Sequence, residues 1–188
     1  MKRIFFSLLL LASLRGMAQT NSVDTAFSVT VSSATSLAIN FGSFYTARHF
    51  TIFVYNIVPA TSGTSLLMLT SPDGSSYDNS SGNYTWEWNN KQGYSQNSPS
   101  DVSITMSGGG GLQNSTGLMT CGVIEIYNPS GSSYYQNIHW DLAVAGTGNS
   151  IAGVAGAGGR LNQAIIKAIR LQMSSGNISG TAVVQITR

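Results

Sequence analysis

The stretch that most constrains the fold is residues 50–88, FTIFVYNIVPATSGTSLLMLTSPDGSSYDNSSGNYTWEW. It reads as three strands joined by two polar turns. Residues 50–58 alternate, with Phe50, Ile52, Val54 and Asn56 on one face and Thr51, Phe53, Tyr55 and Ile57 on the other. Period-2 alternation of this kind places a strand between an interior and a solvent face. Pro59 then ends the ladder, because proline has no N–H to donate. An apolar strand follows over 65–70, and Ser71-Pro72-Asp73-Gly74 carries turn chemistry, with Pro presetting φ and Gly free to take positive φ. In Tyr84-Thr85-Trp86-Glu87-Trp88 large aromatics alternate with polar residues, as in a half-buried strand.

The rest of the chain repeats the pattern. Strands are expected at residues 24–31, with Phe27, Val29 and Val31 on one face, and at 35–41. Further strands are expected at 101–106, with Val102, Ile104 and Met106 inward, then at 119–127, 135–144 and 181–187. Residues 91–100 read as a polar loop, and 145–159 as a long Gly/Ala loop of the kind that serves an interface. Residues 161–173 fit either a helical or a strand face. A strand over 164–173, paired with the last strand, is favoured. Eight or nine short strands separated by turn signals every roughly 10–20 residues predict an all-β antiparallel sandwich, jelly-roll-like. Residues 21–188 form that single domain.

Residues 1–20 differ in kind. Lys2 and Arg3 precede an apolar run over 4–14, and small residues at Gly16 and Ala18 precede Gln19. This is the pattern of a secretory signal peptide, here of a Bacteroidetes-like type. The run is too short to span a bilayer. The alternative is a retained apolar anchor or packing arm, and only retention of residues 1–18 would bring membrane contact.

Composition narrows the function. Charged residues make up 9% of the chain, against roughly 25% in ordinary soluble domains. The surface is therefore neutral and polar, as in extracellular and virion proteins that lie against other subunits. Three of the nine basic residues are Lys2, Arg3 and Arg15, leaving six against seven acidic ones. No basic patch remains for nucleic acid. The single cysteine, Cys121, can form no intrachain disulfide and is expected as a small core residue.

Each candidate site has a plainer structural reading. Asp73 and Asp78 share a Ser/Asn/Gly-rich loop, but calcium-loop spacing is missing and turn chemistry is preferred. Glu87 and Glu125 would suit glycoside hydrolysis only if they came close in space. Tyr84, Trp86 and Trp88 share one strand face and would stack on sugars if exposed, whereas core or subunit packing is the commoner use of such a face. His49 and His139 are isolated, and no His/Cys/carboxylate cluster has metal spacing. The glycine run 108–111 lacks the Gly-Lys-Ser/Thr and helix of a phosphate loop. No catalytic residue, metal or cofactor is expected.

Several segments resemble a group of tailed-phage virion proteins. These are YNIVPATSG (55–63), LLMLTSPDG (66–74), YTW (84–86), GVIEIYNP (122–129) and AIRLQMSSGNISGT (168–181). They are similar to that group's N-x-x-P-A-T turn, S-x-D-G-G hairpin, strand ending in proline, and closing S-S-G-N turn. Ser75 stands where a second glycine is usual. The resemblance covers residues 50–187 and implies a non-enzymatic virion structural protein, of decoration, spike or tail-associated type. Such a subunit would form homo-oligomers and pack on other virion proteins. The alternative is a secreted or cell-surface bacterial domain that binds carbohydrate or acts as an adhesin on host-surface glycan.

Overall fold

In the computed structural model, residues 23–187 are described, apart from 91, 92, 109, 116, 132, 134 and 147–149. The signal-like segment 1–20 lies outside them. Among the described residues the chain forms twelve strands and one 3-10 turn (Gly42–Thr46). The strands are β1 (Val23–Ala34), β2 (Leu37–Asn40), β3 (His49–Pro59), β4 (Leu66–Ser71), β5 (Tyr84–Asn90) and β6 (Ser95–Asp101). Then follow β7 (Ile104–Thr105), β8 (Thr120–Tyr127), β9 (Asn137–Gly146), β10 (Ser150–Arg160), β11 (Ala168–Met173) and β12 (Ile178–Thr187).

They make two antiparallel sheets. The large one runs β1-β12-β3-β8-β9-β10-β5-β6 and the small one β2-β11-β4-β7. The pairs β1·β12, β2·β11, β3·β8 and β4·β7 are nested, first with last and inward, like one long hairpin. The pairs β12·β3 and β11·β4 roll that hairpin on itself. Nested pairing rolled into two four-stranded sheets is a jelly roll, as the sequence predicts. The chain adds β5–β6 and β9–β10 to it as insertions. Both join the same sheet beyond β8 and double its width.

The core follows the alternation. Phe50, Ile52 and Val54 of β3, Ile124 and Ile126 of β8, and Val184 and Ile186 of β12 are buried, as are Leu37, Ile39, Met68, Ile169 and Leu171 of the small sheet. Phe41 and Phe50 stack with ring centroids 4.0 Å apart. Asn56 takes φ +55° at a register shift in β3, so Ile57 returns to the core while Tyr55 and Asn56 face solvent.

Besides the exchanged faces of Asn56 and Ile57, the structure differs from the sequence reading at five points. Residues 150–160 are strand β10, not loop: its glycines leave room for neighbouring indoles, a tertiary demand with no local signature. Residues 95–101 are also a strand, an exposed polar edge held by main-chain pairing. Val102 is exposed, because β7 begins only at Ile104. Cys121 is exposed on β8, opposite Ala143, rather than buried. Finally, 168–173 is a strand, but β11 pairs with β2 and β4 instead of with β12. The turn at 174–177 crosses between sheets. The turns after β3 and after β4 do the same, so the three strands of 50–88 are not mutual neighbours.

Candidate functional site

Tyr84, Trp86 and Trp88 point into the protein, with relative exposures of 0%, 7% and 2%. They offer no ring face to a sugar. Trp86 and Trp88 lie opposite Gly158 and Gly156 of β10. A methyl placed on Gly156 would fall 2.2 Å from Cζ2 of Trp140, which crosses from β9. The indoles thus rest on β10 backbone. Ile104 and Gly108 close over them, Ile104 beside Gly158 and Gly108 against Trp88 and Val154. The Trp86 indole N–H donates to Asp101 Oδ2 at 3.0 Å. The Thr70 N–H donates to the Tyr84 hydroxyl oxygen at 2.8 Å, and that hydroxyl donates to the Asp78 carbonyl at 3.0 Å. Burial pushes the Tyr84 hydroxyl pKa up, and its bonds to Thr70 oppose the shift.

Asp73 and Asp78 are turn and anchor residues. Asp73 Oδ1 accepts from the backbone N–H groups of Ser75 and Ser76, each at 2.7 Å, and from the Ser71 hydroxyl at 2.9 Å. Those backbone donors hold its carboxyl well below the ordinary value. Asp78 pairs with Arg160, which is 1% exposed at the end of β10. Among the described residues no three His, Cys, Asp or Glu side chains gather as a metal-binding set.

The outer face of the large sheet collects the remaining polar groups. Register places Glu125, His139, Ala157 and Glu87 in one row across β8, β9, β10 and β5. Three inter-strand steps separate the two glutamate backbones by about 14 Å. The Glu125 carboxylate is also drawn toward β3. It lies 3.5 Å from His49 Nε2 and accepts from the Tyr127 hydroxyl at 3.0 Å. That bond pushes the Tyr127 pKa up. A glycosidase pair needs carboxyls within roughly 5–10 Å, so these two do not form one.

Sequence reading missed the cluster that Glu125 belongs to. Tyr127 stacks on His49 at 4.6 Å and meets His139 edge-on at 5.5 Å. Only the β3·β8·β9 register reveals it. It also missed an open groove of about 480 Å³ beside Glu87, lined by Thr85, Asn97, Ser98, Pro99 and Ala157. A second hollow of about 310 Å³ flanks Glu87 at Asn89 and Ala155. Both exist because β10 presents only small side chains there. Neither brings a nucleophile to a base.

The segments 55–63, 66–74 and 168–181 each run into a sheet-crossing turn, and two of these turns meet. The Ala60 N–H donates to the Asn177 carbonyl at 2.8 Å, and Gly176, at φ +76°, sits against Thr61. The Asn177 side chain donates to the Ser33 carbonyl at 2.8 Å, tying the end of β1 to both. No family model, curated protein or solved structure matches the chain. Fold and site together define a jelly-roll domain with a four-strand extension and an open outer sheet face.

Proposed function

We propose that this chain is a non-enzymatic structural subunit that works by self-association, in a virion as a decoration, spike or tail-associated protein. The observation that carries this reading is the eight-stranded sheet. Its outer face is broad and sparsely charged, with the acidic Glu87, Glu125 and Asp141 as its charges on β5, β8 and β9. Such a face suits packing against identical copies more than charge-driven capture of a substrate. The virion setting rests on the motif resemblance, whose turns organise the jelly-roll crossings.

The test is fractionation of the native source with intact-mass measurement. The reading expects the protein in a particle fraction. Finding it free in culture supernatant, with a mass that begins at Gln19, would replace it with the second reading, a secreted carbohydrate-binding or adhesin domain. The groove beside Glu87 favours that alternative, through Thr85, Glu87 and Asn97 rather than through the buried aromatics. It then predicts a glycan-dependent rise in melting temperature that Glu87→Gln abolishes.

A further inference from the structure

The two edges of the large sheet are built differently. At one end, β6 is seven residues long, carries Pro99 and Asp101, and pairs with β5 through a register shift. Proline, charge and irregular pairing are the devices that keep an edge strand from accepting another strand. At the other end, β1 is twelve residues long and, among the described residues, pairs only with β12. From Ala26 to Ala34 it contains no charged residue and no proline. Its pairing with β12 runs without a break from Thr25 to Val31.

The side chains of β1 show that no described residue covers it. Ala26, Ser28 and Thr30 are exposed on the outer face. Phe27, Val29 and Val31 face the core but remain half-buried, while their neighbours Val184 and Ala182 on β12 are fully buried. An apolar row therefore runs to the edge of the sheet and stops short of complete burial.

We propose that β1 is the assembly edge of this protein: it pairs antiparallel with β1 of a second copy about a two-fold axis, so the two large sheets become continuous. This rests on the self-association reading and adds a contact at the sheet edge to the outer face on which that reading stands. A second copy suits the edge for three reasons. Antiparallel pairing of identical strands is self-complementary, as an isologous contact requires. The uncharged run lets the copies meet without like-charge repulsion. The partner's half-buried Phe27, Val29 and Val31 extend the same apolar row. The regular stretch Ala26–Val31, which ends at the register shift before Ala34 and the positive φ of Ser33, would supply about six main-chain hydrogen bonds.

The experiment is sedimentation velocity over a concentration series, on the full chain and on two variants. Ala26→Lys/Ser28→Lys places two charges on exposed outer positions of β1. Asn97→Lys does the same once on β6. The proposal expects the unmodified chain and Asn97→Lys to associate alike, and Ala26→Lys/Ser28→Lys to raise the dissociation constant by about a hundredfold or more. Equal association of all three overturns the β1 assignment and leaves self-association standing. An unmodified chain that stays monomeric overturns both. If the double variant fails to fold, hydrogen exchange on the unmodified chain decides. Amides of β1 should lose protection on dilution to monomer, and protection independent of concentration overturns the proposal.

Discussion

The two halves of the large sheet solve the same burial problem with different side chains. In the jelly-roll half, β1, β12, β3 and β8 lie over the small sheet, and Ile, Val, Leu and Phe from both layers fill the space. Alternation alone specifies that arrangement, because each inward aliphatic meets another. In the extension, β9, β10 and β5 have no second sheet of their own. Three tryptophans and a tyrosine lie against a strand whose inward positions include Gly156 and Gly158, and Ile104 and Gly108 contribute to the cover. Large rings on bare backbone substitute for a missing layer. The extension is therefore tuned to individual atoms, whereas the jelly-roll half tolerates exchanges among aliphatics of similar volume.

The sharpest way to break the comparison is at the anchor of the extension. Asp78→Ala leaves the Arg160 guanidinium buried without its partner. Removing one member of a buried pair costs about 3–5 kcal/mol, and chemical denaturation should show a loss of that size. A loss within 1 kcal/mol would mean that Arg160 finds water or another acceptor.

Gly156→Ala comes next. Its methyl would overlap Trp140, and overpacking of this kind costs about 1–3 kcal/mol. In a double-mutant cycle with Trp140→Leu the losses should be non-additive, because the overlap with the indole is shared, while the methyl's close approach to the Glu87 backbone carbonyl remains. Additive losses would separate the glycine from the indole. In the jelly-roll half, Ile52→Val should cost only about 0.5–1.5 kcal/mol, as ordinary aliphatic cores do. A larger loss would erase the distinction between the halves.

The smallest effect is electrostatic and lies at the turn after β4. The folded-state pKa of Asp73 is lowered from 3.8, so its contribution to stability is present above that value and is lost as pH falls through the folded-state pKa. Carboxyl chemical shifts should show Asp73 titrating well below an ordinary aspartate. Titration at the ordinary position would mean that the Ser75 and Ser76 donors are not engaged in solution.

The same contrast explains how much was legible in the sequence. The jelly-roll strands could be read because Phe50-Thr51-Ile52-Phe53-Val54 and Val183-Val184-Gln185-Ile186 carry period-2 patterns, and because Pro72-Asp73-Gly74 and Ser175-Gly176-Asn177 punctuate them. Strand β10 could not be read. Ile151-Ala152-Gly153-Val154-Ala155-Gly156-Ala157 has little strand propensity of its own, and its partners Trp86 and Trp88 lie far away in sequence. Strand β6 was hidden because an exposed edge needs no apolar face. The partner of β11 was misassigned because turn chemistry at 174–177 fixes a reversal but not which sheet the chain enters next. The aromatic face of β5 was legible as a pattern, and burial decides between its two uses. The groove beside Glu87 and the His49–Glu125–Tyr127–His139 cluster depend on strand register, which no local motif encodes.

The central claim is that this jelly roll works by joining copies of itself. Native mass spectrometry of the unmodified chain at micromolar concentration tests it most directly. The account predicts a closed, symmetric oligomer, with the dimer as its smallest unit. A spectrum that holds only monomer as the concentration is raised would contradict it.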